Sequence, residues 1–204
     1  MEELKNNSVE VGGKMAHAPV MLSEMLAWLA PKEGGIYIDG TFGAGGYSRA
    51  ILATADCKVY AIDRDPSTKK FAEVLAKEFP NRFVWILGNF ADMCELLAEQ
   101  GVDSVDGIVL DLGVSSMQLD IAERGFSFRN DGDLDMRMSD EGISAADVIA
   151  TASVDELADI FYYYGEEKAS RRVARAIESA RRIEPITRTL QLAEIIRSAL
   201  PSKP

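Results

Sequence analysis

The chain has 204 residues, 47% hydrophobic and 27% charged, the balance of a soluble globular protein and not of a disordered or fibrous one. No stretch reaches the ~20 apolar residues of a membrane span, and the polar first residues lack the apolar core of a signal peptide, so a cytosolic protein is expected. Two cysteines, Cys57 and Cys94, without a C-x-x-C partner, and a single histidine, His17, argue against a disulfide framework, a thiol-rich zinc site or a centre built on several imidazoles, and no metal is expected.

The net charge of −11 argues against a nucleic-acid partner until its distribution is read. Residues 1–91 carry 10 basic and 11 acidic side chains, residues 92–167 carry 3 and 19, and residues 168–204 carry 9 and 3. A polyanion can bind the last segment while avoiding the middle one; the plainer reading is two solvated helix faces.

In chain order, a polar and mobile start over 1–16 is followed by VMLSEMLAWLA (20–30), apolar at helical spacing and ending before Pro31. IYID (36–39), a glycine-rich turn, a helix from about Gly46 to Thr54 and KVYAID (58–63) make a strand, loop, helix, strand unit. The alternation continues with a helix over 66–79, a strand over 82–87, a helix over 91–100 and a strand over 106–113. Such alternation predicts a parallel sheet with helices on both faces. Four strands are too few for two halves of a doubly wound sheet, so the sheet is expected to be incomplete. From Val114 to Glu141 the pattern gives way to a long loop, and from Ile143 onward the chain reads as helical. The expected division is a core with its site loop over 17–140 and a helical domain over 141–204. Within the latter, Val173, Ala176, Ile177 and Ala180 share one helix face while Arg171, Arg175 and Arg182 project elsewhere.

The most informative segment is IYIDGTFGAGG (36–46). Gly43, Gly45 and Gly46 after a strand allow a tight turn, a close backbone approach to a ligand, and helix N-terminal amides aimed at it. No Gly-Lys-Ser/Thr follows, so it is not a P-loop, and the third glycine of the dinucleotide fingerprint is out of place. Asp39 before the glycines suits an S-adenosylmethionine site instead; the alternative is a plain β–α turn. Asp63 ends the second strand, where a carboxylate can accept from both ribose hydroxyls of an adenosyl group. Asp65 is the better helix cap ahead of Pro66. Asp111 is expected at the end of the fourth strand, in the same crevice as Asp39 and Asp63. Three carboxylates there tolerate a sulfonium cation and repel a pyrophosphate. The acidic run Asp131, Asp133, Asp135 fails as an EF-hand, because Met136 stands where the turn glycine belongs and Gly142 where the bidentate glutamate belongs.

Taken together, HAPVMLSEML (17–26), DGTFGAGGYSRAIL (39–52), AIDRDP (61–66), DLGVSSMQLD (111–120), RGFSF (124–128), LDMRM (134–138) and GEEKASRRVARAI (165–177) closely resemble the RsmH/MraW-type ribosomal RNA methyltransferases. The resemblance implies an α/β, Rossmann-like methyltransferase core with a helical second domain. It implies transfer of a methyl group from S-adenosylmethionine to N4 of a cytidine in small-subunit ribosomal RNA, free or in the assembled subunit. It places the cofactor against Gly45, Gly46 and Tyr47, with Asp63, Phe90, Asp111 and Gln118 completing the pocket. Two departures stand out: Tyr47 occupies a position where the family commonly has histidine, and members continue past the helical region to finish the sheet, which makes this chain a fragment by expectation. Asp111 is expected to orient the amine for transfer, and Arg171, Arg172, Arg175, Arg181 and Arg182 to contact RNA. The rival readings are a non-catalytic RNA-binding module and a nicotinamide-dependent oxidoreductase, which shares the strand, glycines, helix, strand and Asp63. Oligomeric state is not legible in the residues.

Overall fold

A computed structural model describes residues 10–11, 14–15 and 19–200. His17, with the first residues of the HAPVMLSEML motif, lies outside the described residues. The start read from the sequence as mobile contains a two-residue antiparallel pair, Glu10–Val11 with Lys14–Met15. Contacts divide the chain into two compact units, Met1–Gly113 and Val114–Pro204. The sequence reading places the core and its loop within 17–140; by contacts, residues 114–140 group with the helices that follow.

In the first unit, β1 (Ile36–Asp39), β2 (Lys58–Asp63), β3 (Phe83–Leu87) and β4 (Gly107–Val109) form one parallel sheet in the order β3-β2-β1-β4. Side chains alternate between its faces, as strand geometry requires. Tyr37, Val59, Ala61, Phe83 and Val109 join the core that holds α1 (Leu22–Leu29), α2 (Gly46–Thr54) and α3 (Lys69–Glu78). Ile38, Tyr60 and Ile62 face the other way, against Leu97 of α4 (Met93–Ala98). The unit is therefore α/β, with a parallel Rossmann-like sheet covered on both faces.

Local chemistry sets the element ends. Helix α1 stops at Ala30, which is left-handed ahead of Pro31. Asp65 caps the turn Pro66–Thr68 by accepting from Ser67 N at 3.0 Å, as its position before Pro66 predicts. Strand β4 is shorter than the 106–113 expected from sequence. Asp106 instead accepts from Ile36 N at 2.9 Å and pairs with Lys32 at 2.6 Å, and beyond Val109 the chain leaves the ladder. Asp111 thus stands past the strand and not at its end.

The second unit is built from α5 (Ser116–Asp120), α6 (Ala145–Thr151), α7 (Val154–Tyr163), α8 (Ser170–Arg181) and α9 (Thr189–Ala199). Ser115, Ser144 and Ser153 open the first three with capping boxes. Its core includes Leu134, Ile149, Leu157, Val173, Ile177 and Ile186. The acidic run within 121–141 is held by cations of the same unit. Arg188 pairs with Asp131 at 2.9 Å and with Asp133 at 2.7 Å, while Arg137 binds Asp135. These partners hold the Asp131 and Asp135 carboxyls below the usual range.

Candidate cofactor site

The strand order locates the site. The chain runs from β1 outward through β2 to β3, then crosses to the far side of β1 for β4, so the winding reverses between β1 and β4. In open parallel sheets, ligands sit at the carboxyl ends of the strands beside such a reversal. The glycine-rich turn leaves β1 at that point.

The turn is organised from inside by Asp39, which is fully buried. Its Oδ1 accepts from Thr41 N at 3.3 Å, and its Oδ2 accepts from Ser48 N at 3.1 Å and from Ser48 Oγ at 2.7 Å. Burial pushes the carboxyl up to about 6, against the hydrogen bonds from Ser48 and Thr41 that favour its charged form. Sequence reasoning places Asp39 among the cofactor contacts. In the structure both oxygens serve the backbone of the turn and the first turn of α2, so it acts through the turn. Thr41 and Ser48 were not anticipated. Ser48 had a signal, since it shares the buried face of α2 with Ile51 and Leu52 at helical spacing.

Asp63 reaches the same turn from β2. Its Oδ2 accepts from Gly43 N at 2.7 Å and its Oδ1 from Asp65 N at 2.9 Å. Burial, above all, pushes this carboxyl up as well. The backbone N–H of Arg64 also favours its charged form; a carboxylate offers about four acceptor positions, so these backbone donors leave room for about one more. Nearby, Gly45 is left-handed at φ 82, and a β-carbon there would stand 2.8 Å from the Phe42 ring. Among the described residues, the backbone N–H groups of Ala44, Gly46 and Tyr47 have no protein acceptor. Three free amides at a helix start form a receptor for an anionic group.

Past β4, Asp111 N donates to Thr41 Oγ1 at 2.7 Å, and Gly40 N donates to Val109 O at 3.0 Å, which fixes the exposed Asp111 beside the glycine turn. The Tyr47 phenol donates to Val20 O. Burial, then the negative charges of Asp111 and Asp39, push that phenol above its ordinary value. Phe90 arrives from the turn after β3. Leu110 and Phe90 close over Gly40, where an added β-carbon would stand 2.4 Å from Leu110 Cδ2 and 3.1 Å from Phe90 Cβ. The first unit thus gathers Asp39, Gly43, Gly45, Gly46, Tyr47, Asp63, Phe90 and Asp111 around one turn.

Comparison with known proteins settles the family. The model of the MraW methylase family matches residues 14–204. The chain belongs to this family. A relative from Paramagnetospirillum magneticum is 56% identical over 185 residues, covering 91% of this chain and 58% of the relative. One from Rhodospirillum rubrum is 55% identical, covering 90% and 56%, and one from Neorickettsia sennetsu is 51% identical, covering 96% and 66%. All three are named ribosomal RNA small subunit methyltransferase H. The chain spans less than two thirds of the length of these relatives.

As a methylase-family sheet, the first unit has the Rossmann-like class that the alternating strands and helices predict. The family's reaction requires a methyl donor. In the second unit of this MraW-family chain, Gln118 is buried and serves as the third residue of the α5 capping box, with its Oε1 accepting from Ser115 N at 2.9 Å. Arg171, Arg172 and Arg175 are exposed on α8 and form no ion pair among the described residues. Arg182 is exposed and pairs with Glu178 at 2.8 Å. Arg181 differs from the other four: its Nη1 donates to Ile149 O at 2.6 Å and its Nη2 pairs with Glu178. It is a packing residue of the second unit, which the amphipathic pattern alone could not tell.

Proposed function

We propose that the protein transfers a methyl group from S-adenosylmethionine to the exocyclic N4 of a cytidine in small-subunit ribosomal RNA. The observation that carries the reading is Asp63 at the tip of β2, fixed to the glycine turn through Gly43 N at 2.7 Å and still holding acceptor capacity. A ribose hydroxyl of an adenosyl group would donate to Asp63. The amides of Ala44, Gly46 and Tyr47 would take the carboxylate of the amino-acid part. The negative charge around the turn favours a sulfonium over a pyrophosphate. The names of the relatives support ribosomal RNA as the substrate. No helix among the described residues is long and apolar enough to cross a membrane.

When bound, the cofactor supplies a methyl activated by positive sulfur. Cytosine N4 is a weak nucleophile because its lone pair is delocalised into the ring, so the protein must orient the amine and take up its proton. Asp111 would orient the amine. Its backbone is fixed by Thr41, its carboxylate is exposed beside the turn, and an aspartate accepts naturally from cytosine N4. The target base would leave its stack to reach it. Calorimetric titration with S-adenosylhomocysteine and with NAD tests the cofactor: the first should bind and the second should not. Methyl transfer from labelled cofactor to small-subunit particles tests the reaction. Near-normal transfer by Asp111→Ala would remove Asp111 from the chemistry.

A further inference from the structure

Three consecutive tyrosines close α7 and the turn after it. Tyr162, Tyr163 and Tyr164 are 54%, 70% and 88% exposed, while their neighbour Phe161 packs on the core. The rings of Tyr162 and Tyr163 meet edge to face at 5.2 Å, and among the described residues none of the three hydroxyls has a hydrogen-bond partner. Large rings in water forgo the burial that usually stabilises them, and a contiguous exposed set marks an interaction surface.

The turn that follows is tightly held. Glu167 N donates to Phe161 O at 3.0 Å, and the Glu167 carboxylate accepts from Ala169 N at 2.6 Å. It leads into α8, whose exposed Arg171 and Arg175 lie one helical turn apart with Arg172 beside them. Asp159 and Glu166, close to the tyrosines in sequence, are exposed and repel phosphate. The tyrosine side therefore offers faces for bases, and the α8 side offers charge for the backbone.

We propose that Tyr162, Tyr163 and Tyr164 are a stacking platform for unpaired RNA bases, with Arg171, Arg172 and Arg175 holding the adjoining phosphates. The inference rests on the reading of the protein as an RNA methyltransferase and specifies the form of RNA that it takes. Bases in a duplex are already stacked on one another, whereas single strands and loops present free faces to aromatic side chains.

The test is fluorescence anisotropy with a labelled single-stranded oligoribonucleotide and with a duplex of equal length, over a series of salt concentrations. The wild type should favour the single strand. Tyr163→Ala and Tyr164→Ala should each weaken it roughly fivefold or more, with an unchanged dependence of log affinity on log salt. The Tyr→Phe variants should bind normally. Arg171→Ala and Arg172→Ala should flatten the salt dependence instead. Wild-type affinity in the Tyr→Ala variants, preference for duplex, or loss of binding only to protein-containing particles would overturn the platform. Failure of the wild type to bind S-adenosylhomocysteine would count against the enzyme reading and leave these RNA measurements standing.

Discussion

The Asp39 carboxylate accepts from both the backbone and the hydroxyl of Ser48, at 3.1 and 2.7 Å, and neither residue reaches solvent. This pair joins the end of β1 to the first turn of α2, where the amides carry positive character. The glycine turn between them is thereby held in shape before any ligand arrives.

Asp39 should leave a signature in the dependence of stability on pH. Its folded value of about 6 lies above the ordinary 3.8, so its contribution is fully present below about pH 4 and is lost as pH rises through about 6. Carboxylates held low by partners, such as Asp131 and Asp135, act in the opposite direction and cancel in a difference measurement. The stability of the wild type relative to Asp39→Asn should therefore fall by about 2 kcal/mol between pH 4 and pH 7. Urea unfolding of both proteins at the two pH values measures it. A gap that stays constant would mean that Asp39 ionises like an exposed aspartate.

Gly45→Ala and Gly43→Ala should separate strain from overlap. Both positions have positive φ, at 82° and 54°. Alanine in that region costs about 1–2 kcal/mol. At Gly43 the nearest atom is Thr41 O at 3.9 Å, so strain is the whole penalty. At Gly45 the new methyl also meets Phe42, which is buried and packs on Phe83 with ring centroids 5.5 Å apart. Overpacking adds about 1–3 kcal/mol. Denaturant midpoints should thus rank the wild type above Gly43→Ala and Gly43→Ala above Gly45→Ala; equal variants would mean that the Phe42 ring yields freely.

Much of the first unit was legible because its strands are short, apolar and bounded by glycine or aspartate, and because Asp65 ahead of Pro66 reads directly as a cap. The fourth strand was read too long for a physical reason. Leu110 and Leu112 continue the apolar alternation of β4, yet they are 39% and 70% exposed beyond its end. Side-chain pattern cannot show that the Thr41 hydroxyl has captured Asp111 N and drawn the chain off the ladder. The bonding of Asp39 was hidden in a related way, since a carboxylate after a strand looks the same whether it meets a ligand or a buried serine. Its partner Ser48, nine residues away, carried that information.

Asp63→Ala should weaken binding of S-adenosylhomocysteine by on the order of tenfold or more, because hydrogen bonds to a charged group contribute about 1.5–3 kcal/mol each. Burial raises the Asp63 carboxyl, so affinity in the wild type should fall on acidification at a pH above the ordinary aspartate value. The Ala variant should lack that fall. Titration calorimetry across the acidic range checks both, with circular dichroism to show that the variant is folded. An unchanged affinity in the variant would take Asp63 out of the binding site.

The arginines of α8 should divide into two kinds. Arg181 is only 17% exposed, and its bond to the Ile149 carbonyl satisfies an acceptor in the last turn of α6, where helix carbonyls lack internal partners. Arg181→Ala should therefore lower stability by about 1–3 kcal/mol, through loss of that bond. Arg171→Ala and Arg175→Ala remove exposed cations without an ion pair among the described residues, and should melt within a degree or two of the wild type. RNA affinity should show the reverse order, with Arg181→Ala keeping the wild-type salt dependence at temperatures where it is folded. Thermal melts and salt-series binding on the three variants decide it. A stable Arg181→Ala with a flattened salt response would return that side chain to the RNA surface.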